Sequence, residues 1–310
     1  MINPFLIKNR NRTLQQNIKI QRPQFTPDKN VSGEAKKLRR MIDEAQRIVA
    51  FTGAGISAES GIPTYRGAGG MWSKYDPEKF ASIDYFRKDP TYYWRFFKEC
   101  RHDLIAKAEP TLSHYALAEL ENRGKLNTIV TQNIDGLHYL AGSERVLELH
   151  GNTNRFYCLG CSKQFNLNQA WEMVQTQMPV ICDDCGGIVR ADVVMFGEML
   201  PERTITEAEQ ETNSCDLMIV IGSSLVVYPA ASLPYQAKSA GAKLAIINLD
   251  PTPLDSLADL VIRHPAANLM AQAVWLEQEG SLLNTSWVCG HLSLFAKVIT
   301  KRTGMSILTK

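Results

Sequence analysis

The sequence predicts an α/β fold, a doubly wound parallel sheet with a smaller cysteine-rich unit inserted into it. Three observations carry this. Short, wholly apolar runs recur along the chain with helical stretches between them, and continuous apolar strands separated by helices belong in a parallel sheet covered on both faces. A glycine-rich turn follows the first apolar run directly. The rhythm then breaks over about 155–191, which holds two Cys-x-x-Cys pairs and no long apolar run.

Taken in order, residues 34–47 read as an amphipathic helix with Leu38, Met41, Ile42 and Ala45 on one face. "IVAF" (48–51) is the first strand. Further strands are expected at "LNTIV" (126–130), "VLEL" (146–149), "DVVMF" (192–196), "DLMIVIG" (216–222) and "LAIIN" (244–248), with a short one at "LVI" (260–262). Helices are expected at 112–123, 205–213 and 230–240. The division that follows is a basic, flexible arm over 1–32, a main domain over 33–276 and a C-terminal extension over 277–310 of no assigned role.

The 310 residues are 45% apolar and 21% charged with a net charge of +2. That suits a globular chain with a sizeable core and predicts no strong attraction to nucleic acid. No run of 18 apolar residues marks a membrane span. Residues 1–32 carry Lys8, Arg10, Arg12, Lys19 and Arg22 ahead of the first acid, Asp28. They lack a secretory apolar core. Cytoplasmic localisation is expected, with a mitochondrial or other organelle address as the alternative if the arm is a transit peptide.

The seven cysteines are Cys100, Cys158, Cys161, Cys182, Cys185, Cys215 and Cys289. Two Cys-x-x-Cys pairs, Cys158 with Cys161 and Cys182 with Cys185, lie 20 residues apart. Four thiolates complete a tetrahedral zinc shell with no open position, so the ion is structural. Lys163 is the only base between 158 and 185, which argues against a nucleic-acid zinc ribbon.

Gly53-Ala54-Gly55-Ile56-Ser57-Ala58 fits G-x-G-x-x-[GA] directly after a strand. Such a turn lets backbone approach a pyrophosphate at a helix N-terminus, or it is needed for steric reasons alone. Gly61 and Pro63 stop the helix after about one turn. A Gly-rich loop bearing Arg66 stands where a dehydrogenase would run on into a crossover helix. Five strand ends carry small or polar residues: the glycine turn, Gln132-Asn133-Ile134-Asp135, His150, Gly222-Ser223-Ser224, and Asn248 with Asp250. In a doubly wound sheet these ends line the ligand crevice. Of the six histidines, His150 is set apart by its strand-end position before Gly151, and His138 is its nearest rival.

In this order "GAGISAESGIPTYR", "TQNIDGLH", "LHG", the two Cys-x-x-Cys pairs, "DVVMFGE" and "GSSL" resemble the sirtuin family, NAD-dependent protein-lysine deacylases. The resemblance spans roughly 34–276. It implies a Rossmann-like domain and a small zinc-binding domain, with NAD and an acyl-lysine peptide meeting between them. It implies that Gly53, Ala54, Gly55, Glu59 and Arg66 line the dinucleotide site, with Gln132, Asn133 and Asp135 around the nicotinamide and its ribose. Gly222, Ser223, Ser224, Asn248 and Asp250 are implied at the adenosine half, and Val193, Phe196, Gly197, Leu225, Val226 and Tyr228 beside the substrate lysine.

By the same resemblance NAD is consumed and Zn2+ is structural. His150 is the general base that lets the ribose 2′ oxygen attack the acyl carbon, giving lysine, nicotinamide and O-acyl-ADP-ribose. Partners are acyl-lysine proteins, with no membrane and no sequence-specific nucleic-acid binding expected. Two departures stand out: Thr64-Tyr65 where many members have Asp-Phe, and Ser223 where Thr is common. The stretch "YRGAGGMW" resembles the branch that removes acidic acyl groups, but that branch places a Tyr and, three residues later, an Arg after a Trp, where an ungapped match after Trp94 gives Phe97 and Cys100, with Arg101 one residue off register. A neutral acyl group such as acetyl is therefore expected, since an acyl carboxylate would have no guanidinium. The alternatives are a protein mono-ADP-ribosyltransferase using the same NAD site and a non-catalytic NAD-binding sensor.

Overall fold

A computed structural model describes residues 23–64, 70–71 and 75–275 of the chain. Expectations for 1–22, for Arg66, for 277–310 and for Cys289 fall outside the described residues.

Among the described residues nine strands form two sheets. They are β1 (Ile48–Thr52), β2 (Leu126–Thr131), β3 (Val146–Glu148), β4 (Gly151–Cys158), β5 (Gln164–Asn166), β6 (Val189–Val193), β7 (Leu217–Ile221), β8 (Lys243–Ile247) and β9 (Leu260–Ile262). The larger sheet has the order β3-β2-β1-β7-β8-β9 with every described pairing parallel. Its order reverses between β1 and β7, the switch point at which doubly wound sheets bind ligands.

β1 and β7 are buried throughout, because helices cover both faces. Alternate side chains point to opposite faces. Ile48, Ala50, Ile129, Ile219, Ile221 and Ile247 join one core, shared with Leu38 and Ile42 of the helix Ser32–Glu44 and Leu117 of the helix Leu112–Asn122. Val49, Phe51, Val130, Met218, Val220 and Ile246 join the other, with Ala208 of the helix Glu202–Ser214 and Leu233 and Ala237 of the helix Leu233–Ser239. This two-sided burial is why the strands read as continuous apolar runs rather than alternating ones.

Residues 23–31, expected to belong to a loose arm, are held. Asn268 accepts from the Asp28 amide and donates to the Thr26 carbonyl, and Gln272 donates to the Asp28 carbonyl. Phe25 packs on Trp275 at 6.0 Å between ring centroids. The tether is a pair of side-chain amides on the helix Ala266–Trp275, which no local pattern in the arm reveals.

The second sheet is antiparallel, in the order β5-β4-β6. The strand expected at 192–196 in the parallel sheet is instead β6, shifted to Val189–Val193 and paired with β4. Its mixed sequence, Val-Arg-Ala-Asp-Val, suits a sheet buried on one side. Short helices at Ile83–Lys88 and Pro90–Phe96 complete this unit. Phe86, Trp94 and Phe97 share one core with Phe156, Phe165, Val180 and Val189. The buried Trp94 indole donates to the Val189 carbonyl, so its polar atom is satisfied. Among the described residues no helix is long and apolar enough to cross a membrane.

Candidate active site

At the switch point the β1 and β7 loops interlock through backbone. The Gly55 amide donates to the Gly222 carbonyl at 2.8 Å, and the Gly53 amide donates to the Ile221 carbonyl at 3.0 Å. A Cβ on Gly55 would stand 2.6 Å from the Gly222 Cα, and one on Gly222, whose φ is +64°, would stand 2.3 Å from the Ile56 nitrogen. The glycines therefore serve loop-to-loop contact, the steric reading of this turn, and their two amides are taken. The helix that follows is a short 3-10 segment, Ala54–Ser60, closed by Gly61 at φ +81°, as the early Gly61 and Pro63 predicted.

Beside this interlock, β2 ends in the polar run. The Gln132 amide continues the ladder to the Thr52 carbonyl, and its side chain donates to Ser223 Oγ at 2.8 Å, tying the β2 and β7 ends together. Asn133 and Asp135 are buried, and both meet Ser57. Ser57 Oγ donates to Asp135 Oδ2 at 2.7 Å and accepts from Asn133 Nδ2 at 3.1 Å, while the Leu137 amide donates to Asp135 Oδ1. Ser57 was not singled out in the sequence. Its signal, a polar residue inside an otherwise apolar Gly-rich turn, carries no information about burial.

His150 follows β3. Its Nδ1 lies 2.9 Å from the Gln132 carbonyl oxygen. A carbonyl only accepts, so Nδ1 carries the hydrogen and Nε2 keeps its lone pair. Burial pushes the imidazole below its ordinary range, and the bond to Gln132 works in the opposite sense. The ring is thus neutral near pH 7, with one basic nitrogen left for chemistry.

His138 is excluded as the base. Burial drives its pKa down to about 3. Its Nε2 sits 2.9 Å from Thr52 Oγ1, which also bonds Thr131 Oγ1 at 2.8 Å, and Thr131 accepts from the Asn133 amide. His114 lies 4.8 Å from it between ring centroids, and burial, with His138 second, lowers it well below the usual value. The pair is a neutral, structural foundation under the Asn133 turn.

The substrate-side residues divide. Phe196, Val226 and Tyr228 are large apolar side chains left exposed. Leu225 is instead buried in the large core with φ +55°, so its side chain is structural. Phe97 is also fully buried, packed on Trp94, Phe156 and Trp171 in the core of the small unit. The Cys100 side chain lies outside the described residues. Glu59 accepts from the Ala267 amide at 3.1 Å, where it caps the last described helix. Asn248 donates to the Asp250 carbonyl, closing the turn after β8.

The Sγ atoms of Cys158, Cys161, Cys182 and Cys185 all lie within 4.8 Å of one another. A Zn–S bond of ~2.3 Å in a tetrahedron places sulfurs ~3.8 Å apart, and Cys161 to Cys182 is 3.8 Å here. The amides of Gly160 and Gly187 donate to Cys158 and Cys185 sulfurs, which favours thiolate. A Cβ on Gly187 would stand 2.8 Å from Cys158 Sγ, so the knuckle needs glycine. Donor set and spacing fit zinc.

Residues 53–229 match the model of the Sir2 family. The chain is 47% identical over 242 residues to an NAD-dependent protein deacylase 2 of Archaeoglobus fulgidus, covering 78% of this chain and 95% of that protein. It is 48% identical over 231 residues to an NAD-dependent protein deacetylase of Saccharolobus solfataricus, covering 74% and 92%. Among solved structures, a Sir2 enzyme bound to a propionylated peptide matches with a TM-score of 0.71 at 38% identity, covering 78% of this chain and 97% of that one.

Proposed function

This chain belongs to the Sir2 family, and from that premise we propose that it removes acetyl groups from protein lysines with NAD as the consumed co-substrate. The observation that carries the reading is the His150 bond to the Gln132 carbonyl. It fixes the tautomer that leaves Nε2 basic, at the end of β3 and beside the polar crevice.

NAD would be held at the switch point by the β1 turn, by Ser223, Ser224, Asn248 and Asp250, and by Gln132, Asn133 and Asp135. Its contribution when bound is a ribose carbon that becomes electrophilic as nicotinamide leaves. Asn133 and Asp135 reach that end already oriented through Ser57. His150 Nε2 takes a proton from a ribose hydroxyl, and its lowered basicity keeps it unprotonated at working pH. Val193, Phe196, Gly197, Val226 and Tyr228 flank the acyl-lysine peptide. Zinc on the four cysteines holds the small unit together and has no open position for chemistry.

We assign a neutral acyl group from the sequence match alone, in which Cys100 stands where the acidic-acyl branch has its arginine and Arg101 is one residue off register. A reducing, cytoplasmic setting suits Cys158, Cys161, Cys182, Cys185 and Cys215, none of which forms a disulfide. Replacing His150 by Ala tests the assignment. Deacetylation is expected to fall by ~100-fold or more while NAD still binds. Retained turnover removes His150 from the mechanism.

A further inference from the structure

Arg190 is a charged residue on β6 that is almost wholly buried, 3% exposed. Its guanidinium grips Glu198 bidentately, Nη1 donating to Oε1 at 2.7 Å and Nη2 to Oε2 at 2.8 Å. Nη2 also donates to the Val193 carbonyl at 2.7 Å, and Nε donates to the Ala191 carbonyl at 3.3 Å. The guanidinium lies 5.6 Å from the Phe86 ring centroid and 5.9 Å from that of Tyr157. Glu198 Oε2 in turn accepts from the Met195 amide at 2.8 Å, and the Glu198 amide donates to the Met195 carbonyl. One ion pair therefore closes the whole turn from Val193 to Glu198 around itself.

That turn is bonded outward on two sides. The Phe196 amide donates to the Ala81 carbonyl at 2.7 Å and the Ile83 amide to the Phe196 carbonyl at 3.1 Å, which fixes the segment bearing the exposed Phe196. The Val194 amide donates to the His150 carbonyl at 2.9 Å, and Val193 pairs with Gly151. A Cβ on Gly151 would stand 2.1 Å from the Asp192 carbonyl oxygen, so the contact is backbone against backbone. The peptide-facing edge and the backbone of the base are thus held by the same turn.

A buried ion pair is a weak source of net stability, because desolvation offsets most of the attraction, and an apolar pair of similar volume often does as well. What an apolar pair cannot do is direct hydrogen bonds to specific carbonyl and amide groups of a loop. The Arg190 and Glu198 side chains make two such bonds to the turn they enclose, to the Val193 carbonyl and from the Met195 amide.

We propose that Arg190 and Glu198 are positioning residues for the acyl-peptide half of the reaction, holding the 193–198 turn in its peptide-binding shape before substrate arrives and registering it against His150. This rests on the reading of Phe196 and Gly197 as peptide-flanking. The pair acts on peptide recognition and leaves the NAD crevice, built on β1, β2 and β7, untouched.

The test compares wild-type protein with Glu198→Gln and Arg190→Lys, measuring KM for an acetyl-lysine peptide, KM for NAD, kcat and bound zinc. Both variants are expected to raise peptide KM by ~10-fold, with NAD KM within ~2-fold and zinc content unchanged. Lysine is expected not to rescue, because the bidentate fork is lost. Peptide KM unchanged in both, or the two KM values rising together, overturns the proposal. A second measurement needs no variant: in unliganded wild-type protein the Met195 amide, held by Glu198, is expected to exchange its hydrogen slowly. Exchange at the rate of an open loop overturns preorganisation. If wild-type protein consumes no acyl-lysine peptide at all, the functional reading fails and this inference falls with it. Wild-type turnover with indifferent variants sinks this inference alone.

Discussion

The parallel sheet and the cysteine unit are neighbours in one chain held by different physics. The sheet stacks two apolar cores on strands buried on both faces, and its order requires no ligand. The small unit has a sheet of only three strands, of eight, three and five residues. It adds an aromatic cluster, in which Trp94 stacks on Phe156 at 5.7 Å, and four cysteines poised for one ion. The difference places function as well. On the proposed reading the ligand crevice lies on the parallel sheet, while the cysteine-bearing unit contributes the edge that meets the peptide.

Chelation draws this contrast most sharply. A structural zinc contributes on the order of 10 kcal/mol, so its removal is expected to abolish the buried signal of Trp94 and the deacylation while leaving the parallel sheet folded. Unchanged tryptophan fluorescence after complete metal loss would contradict the division. The converse is Phe51→Ala, in the core of the sheet. It is expected to lower stability by ~3–5 kcal/mol, read from a denaturant midpoint, with zinc content unchanged. Equal loss of zinc would mean the two units are one cooperative block.

A smaller effect is expected at the switch point. Gly222→Ala forces a side chain into a positive φ and against the Ile56 nitrogen, for ~1–3 kcal/mol of strain and a raised KM for NAD with little change in peptide KM. A change in peptide KM alone would place the interlock outside the dinucleotide site.

The smallest step concerns acid. The unfolded chain protonates His138 near 6.5, whereas the folded chain does not until about 3. Acid therefore favours the unfolded chain. The stability is fully present above 6.5 and falls by ~1.4 kcal/mol per pH unit as pH drops towards 3. His114 is lowered in the same direction. His138→Gln is expected to flatten the pH dependence of stability between 6.5 and 5.5 by about 1 kcal/mol. An unaltered slope would show that His138 protonates normally.

The same contrast explains what could be read in advance. The strands of the parallel sheet were legible because burial on both faces writes apolar runs into the sequence, and the edge strand β9 fell on 260–262 as expected. The polar strand ends were legible because a buried Asn, Asp or His has no place in such a run without a partner. The small unit was legible only at its cysteines. Its helices at 83–88 and 90–96 are too short to show a period, and their aromatic faces make sense only against Phe156, far along the chain. For the same reason β6 was assigned to the wrong sheet, and Leu225 was expected beside the substrate when its side chain is in the core. Ser57 and the Arg190–Glu198 pair were missed because hydrogen bonding between distant positions leaves no local signature.

The central claim is that the crevice spends NAD to deacylate lysine. The most direct test is mass spectrometry of purified protein with NAD and acetyl-, succinyl- and long-chain acyl-lysine peptides, every product scored. The account predicts loss of acetyl matched by nicotinamide and O-acetyl-ADP-ribose, with succinyl-lysine largely spared. ADP-ribose appearing on protein with no deacylated peptide would contradict it.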